Sequence, residues 1–134
     1  MKVGLDTSVV LRLLTGEPGE QAQRALDEIQ TLIQLGASLL VSDLVAAEVY
    51  FALQHHYGVP KAEALLLLSN FLSDKNIKSI GAAQTVLAMP NLAKAKPGFI
   101  DRLIHAEYEM SAKEMLSFEK AAGRLTRVRV LTSD

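Results

Sequence analysis

At 134 residues the chain has the length of one domain, 1–134, long enough to bury a sizeable core. Hydrophobic residues at 49% and charged residues at 22% match an ordinary soluble globular protein, and the absence of cysteine excludes disulfides and thiolate metal sites and fits a reducing cytoplasm. A net charge of −1 argues against a large electrostatic footprint for nucleic acid but leaves room for a local patch, and at 5% aromatics a ring platform that stacks single-stranded bases is not expected.

Lys2 leads at once into a short strand carrying Val3 and Leu5, so the N-terminus shows no signal-peptide pattern. Asp6 follows, and Thr7 and Ser8 can cap the helix suggested by Val9–Leu14, which stops in the turn Gly16-Glu17-Pro18-Gly19. Ala22, Ala25, Leu26, Ile29, Leu32 and Ile33 then recur at helical spacing, ended by Gly36. Ser38–Val41 reads as a second strand. Ser42 caps a helix from Leu44 to about Tyr57, with Asp43 in its positive first turn, and Pro60 opens another helix through Leu72. Ile77–Ile80 is a third strand, Ala82–Met89 a helix stopped by Pro90, and Lys94–Gly98 a loop. Phe99–Met110 is a helix, Met115–Phe118 a fourth strand and Arg127–Leu131 a fifth. No apolar run is long enough to span a membrane. Short strands alternating with helices predict a three-layer α/β/α domain around a central, mostly parallel sheet of about five short strands.

Four carboxylates stand out. Asp6 falls where the first strand hands over to the first helix, although helix capping alone would explain it. Glu48 is the single charge in Leu44–Leu53, where an acid is costly unless it is paired, binds metal or reaches solvent. Asp101 has a structural explanation as a first-turn acid, and Glu119, directly after a strand, has a similar one. Together, two follow strands and two begin or interrupt helices, and such places converge on one crevice at the carboxyl end of a parallel sheet. Four like charges there need a hard divalent cation, and Mg2+ or Mn2+ takes oxygen ligands.

The run Leu5–Glu17 resembles the opening of a PIN-domain nuclease, in particular the VapC-type ribonuclease toxins. Val45-Ala46-Ala47-Glu48-Val49 resembles that family's second acidic motif and Phe99-Ile100-Asp101-Arg102-Leu103-Ile104 its third. Ser117-Phe118-Glu119 lies where the family has a Thr-Phe-Asp-like motif, with glutamate here in place of aspartate. The resemblance runs the length of the chain with the motifs in order. It implies a metal-dependent endoribonuclease in which Asp6, Glu48, Asp101 and Glu119 hold Mg2+ or Mn2+, with Ser8 supporting the Asp6 carboxylate or simply capping the helix. It further implies a cytoplasmic homodimer that acts on RNA, has no membrane partner and is inhibited by a cognate antitoxin.

Arg12 and Arg102, nearest the acids, are the first candidates for RNA phosphates, with Lys94, Lys96, Lys120, Arg124, Arg127 and Arg129 behind them. His55, His56 and His105 fit surface or packing roles better than general-base chemistry. Leu65–Leu68 makes its helix apolar all round, for the core or for a partner. Two competing readings are a catalytically weak or inactive binding module of the same fold, which Glu119 and the near-neutral charge favour, and a phosphate-handling domain with Asp6 as nucleophile. The second lacks the aspartate two positions on that a dehalogenase-type phosphatase carries, since Ser8 is there.

Overall fold

The computed structural model describes residues 1–132. In chain order the elements are β1 (Lys2–Gly4), α1 (Thr7–Thr15), α2 (Gly19–Gln34), β2 (Ser38–Val41), α3 (Asp43–His55), α4 (Lys61–Leu72), β3 (Ile77–Ser79), α5 (Ala83–Leu87), α6 (Phe99–Glu109), β4 (Met115–Ser117) and β5 (Val128–Val130), with 3-10 turns at Leu92–Lys94 and Lys120–Arg124. The predicted elements are all present, with ends moved by a few residues where helices fray or strands lose their last ladder bond.

All pairing is parallel, as the alternation of strands and helices predicts. The five strands do not share one sheet, however. β1, β2 and β3 form a three-stranded sheet in that order, with Val3 opposite Leu39 and Leu39 opposite Ile77, while β4 and β5 pair separately with Met115 opposite Val128. The correction has a simple origin. Periodicity shows which segments are extended, but strand adjacency depends on hydrogen bonds between residues far apart in sequence.

β2 is the middle strand and the most buried, with Leu39 and Val41 inaccessible to solvent. The helices pack in succession, α2 on α1, α1 on α3, α3 on α4, α4 on α5 and α5 on α6. Leu53, Leu68, Leu72, Val10, Val49 and Phe99 close the core between helices and sheet. Each contributes on the order of 2 kcal/mol by leaving water. The leucine run in α4 divides by face: Leu65 and Leu68 are buried, whereas Leu66 is exposed.

Local signals explain several boundaries. Gly16 ends α1 with a left-handed φ of 71°, and its N–H reaches the Arg12 carbonyl. The Ser42 hydroxyl accepts the Val45 N–H at 3.2 Å and caps α3 as predicted. Asp43 does more than favour the α3 dipole. Its two carboxylate oxygens accept the N–H groups of Ala82 and Ala83, each at 2.9 Å, and so cap α5 from another element. Because Asp43 follows β2 and Ala82 follows β3, this contact clamps the ends of two paired strands.

Candidate active site

β1 reaches the site because Leu5 still donates to the Leu40 carbonyl at 2.9 Å, after which the chain turns at Asp6 into α1. Asp6 occupies the N-cap position with extended backbone, and its carbonyl accepts the N–H groups of Val9 and Val10. Its exposed side chain makes no capping hydrogen bond. Capping therefore does not account for this carboxylate. Thr7 does not cap the helix with its hydroxyl either; that group donates to Glu48 Oε1 at 2.7 Å. The bond brings Glu48, from the middle of α3, to the carboxyl end of β1 beside Asp6.

Glu48 is exposed, so the cost of a buried charge does not apply to it. Leu44, Glu48, Phe51 and His55 form the outward stripe of α3, while Ala46, Val49, Tyr50 and Leu53 face the core. Two apolar residues on the outward stripe made the whole helix read as apolar. His55 is stacked on Phe51, with ring centroids 6.2 Å apart.

The helix bearing Asp101 is brought in by a neighbouring contact. The Tyr50 ring on α3 meets the Phe99 ring on α6 edge-on at 5.1 Å, two residues from Glu48 and Asp101 respectively. Asp101 is exposed in the first turn of α6, after the N-cap Gly98. Glu119 is also exposed and leads into the 3-10 turn after β4, where its backbone N–H donates to the Ser117 hydroxyl at 2.9 Å. Arg124 on that turn donates to the Lys96 carbonyl at 2.9 Å, tying the Glu119 segment to the loop that precedes Asp101.

The small β4–β5 sheet is held to α6 by further bonds. His105 Nε2 donates to the Thr126 carbonyl at 2.7 Å, the Thr126 hydroxyl donates to Glu109, and the Arg127 guanidinium reaches the carbonyls of Glu109 and Ala112. His105 is thus a packed structural residue rather than a base facing the acids.

The two favoured phosphate ligands are each anchored through Nε, which leaves their Nη groups for other partners. Arg12 Nε donates to Gln21 at 2.7 Å, and Arg102 Nε donates to the Pro97 carbonyl at 2.7 Å. Ser8 is exposed and lines a groove of about 530 Å3 between β1, α1 and α2; among the described residues it makes no hydrogen bond to Asp6.

Two contacts bear on the four acids: Thr7, next to Asp6, holds Glu48, and the Arg124–Lys96 bond joins the segment after Glu119 to the loop before Asp101. The ion pairs among the described residues are Arg24–Glu28 and Arg129–Glu114, neither involving these four acids. Their oxygens are the donor type that Mg2+ and Mn2+ select. The arrangement does not gather them fully: among the described residues no three or more such side chains stand close enough to hold an ion. The cradle of four acids expected from the sequence, in which a divalent cation offsets their mutual repulsion, is therefore not assembled by the side chains alone.

Removing the hydroxyl that holds Glu48 tests the first contact. Thr7→Val should lower any metal-dependent activity roughly 10-fold, the scale at which residues orienting a ligand act. Thr7→Ser should restore it, and the two proteins should unfold at similar urea concentrations.

Searches of curated proteins and of solved structures return no match to the chain. A family model described as the PIN domain matches residues 3–109, from β1 to the end of α6, and so includes Asp6, Glu48 and Asp101 while stopping short of Glu119. On that match, over most of its length and through the strand end and helices that carry three of the four acids, the chain belongs to the PIN-domain family.

Proposed function

We propose that this PIN domain is a Mg2+- or Mn2+-dependent endoribonuclease of the VapC type, the toxin of a type II toxin–antitoxin pair. PIN domains are generally nucleases, so nucleic-acid phosphodiester hydrolysis is the activity that family membership suggests. The observation that carries the reading to particular residues is Asp6: an exposed carboxylate at the carboxyl end of a strand, with neither a capping bond nor an ion pair to explain it. Glu48 stands beside it through Thr7.

In this reading Asp6, Glu48, Asp101 and Glu119 are the metal ligands. A divalent cation, when bound, supplies charge neutralisation at the phosphate and a water of lowered pKa. The chain contributes the acids, their orientation through Thr7, and the tie that keeps the Glu119 segment beside the α6 loop. RNA is the substrate, a cognate antitoxin the inhibitor, a homodimer the assembly and the cytoplasm the compartment. Among the described residues no helix is long and apolar enough to cross a membrane.

Purified protein should cut single-stranded RNA in Mg2+ or Mn2+, lose the activity in EDTA and regain it when metal is returned. Calorimetric titration with Mn2+ should show binding below millimolar metal. Cleavage that ignores EDTA would remove the metal from the reading. Absence of Mn2+ binding, with no cleavage, would leave the second reading, a binding module of the same fold. That alternative has its own support: among the described residues no three acids are grouped, and Glu119 lies beyond the matched residues.

A further inference from the structure

Phe118 has the largest exposed fraction of any aromatic side chain among the described residues, at 69%, although it stands directly before Glu119. Its placement follows from strand alternation. Along β4 and the residue after it, Met115 and Ser117 are half-buried while Leu116 and Phe118 face solvent. Leaving a phenyl ring in water forgoes about 2 kcal/mol of burial.

The surroundings indicate what would cover it. Six of the fourteen cations and nine of the fifteen acids precede residue 94, so positive charge is concentrated in the last third of the chain. Lys94, Lys96, Arg102, Lys120 and Arg124 lie on the two segments that carry Asp101 and Glu119. Lys94, Lys96, Lys120 and Arg124 are exposed, and the Arg124–Lys96 bond holds those segments together. An exposed ring among cations on adjoining loops matches the needs of single-stranded nucleic acid, whose bases stack on aromatic faces while its phosphates meet lysine and arginine. An apolar protein partner would not call for this density of positive charge.

We propose that Phe118 is a base-stacking residue, with Lys96 and Lys120 as phosphate contacts, that holds single-stranded nucleic acid across the segments carrying Asp101 and Glu119. The inference rests on the nuclease reading and adds to it the place where the strand lies. It also revises the expectation drawn from composition. Few aromatics exclude a broad platform, yet a single ring at the right place is enough to seat one base.

The chain contains no tryptophan, so Phe118→Trp creates a single fluorescent reporter at the position in question. In EDTA, with Asp6→Asn to prevent cleavage, titration with a short single-stranded uridine oligonucleotide should quench that fluorescence, and the same sequence as a duplex should not. By anisotropy of the labelled oligonucleotide, Phe118→Leu should weaken binding roughly 5- to 100-fold while Phe118→Tyr preserves it. Lys96→Gln with Lys120→Gln should flatten the slope of log affinity against log salt by about 0.7 per lost contact. Unaltered binding by Phe118→Leu together with an unquenched tryptophan would overturn the proposal. So would a fluorescence change on raising protein concentration without oligonucleotide, which would assign the ring to a contact between copies. If no oligonucleotide binds, the stacking proposal falls, and the nuclease reading is judged separately by wild-type cleavage in Mg2+ or Mn2+. Binding through Phe118 without cleavage by the wild type in Mg2+ or Mn2+ would uphold the stacking role and remove the nuclease.

Discussion

Asp6→Asn should reduce RNA cleavage by on the order of a hundred- to a thousand-fold, the loss typical of deleting one group that stabilises developing charge in a site. The substitution keeps the shape of the side chain and removes only its charge. Asparagine is as good a residue as aspartate at a helix N-cap, so α1 retains its start. Since the Asp6 side chain is exposed and makes no capping bond, stability should change by no more than about 0.5 kcal/mol. Asp101→Asn should behave in the same way. The measurement is cleavage of a labelled RNA by wild type and variants, with and without EDTA, beside urea melts that confirm equal folding. Equal rates across all of these would detach the acids from any reaction.

Gly81→Ala has the largest effect we expect on stability. A Cβ at position 81 would overlap the Asp43 carboxylate that caps α5. Either the backbone after β3 shifts or the carboxylate swings away and abandons both N–H groups. Hydrogen bonds to a charged acceptor are worth more than neutral ones, so the cost should be about 2 kcal/mol. For a domain of this size that corresponds to a fall in Tm of roughly 5–10 °C. Asp43→Ala should cost a similar amount, and adding Gly81→Ala to it should cost little more, because the clash and the cap are then already gone. Additive losses in that cycle would show that Gly81 is needed for some other reason.

The contrast between these two sites shows what could be read from residues alone. Asp6 and Asp101 are recognisable because each falls at a boundary that local signals define, a strand end and a first helical turn. Gly81 offers no such signal: its requirement arises from Asp43, thirty-eight positions earlier and in another element. For Glu48 the residues alone leave pairing, metal binding and solvent open, and the structure shows that the stripe of α3 it occupies is exposed. Arg12 and Arg102 are close to the acids in sequence, but that Gln21 and the Pro97 carbonyl hold their Nε groups is set by the fold.

The amino-acid order by itself determined the elements and their sequence, the Ser42 cap, the Gly16 stop, and the positions of Asp6 and Glu119 after strands and of Asp101 in a first helical turn, because these depend on periodicity and on neighbours within a few residues. Only the tertiary structure decided that the five strands divide into two sheets, that Thr7 holds Glu48 and that Asp43 caps a distant helix. It alone also decided that Phe118 faces water. Each of these is a contact, or the lack of one, between segments whose relative positions exist only after the chain has closed around its core, and no local propensity encodes them.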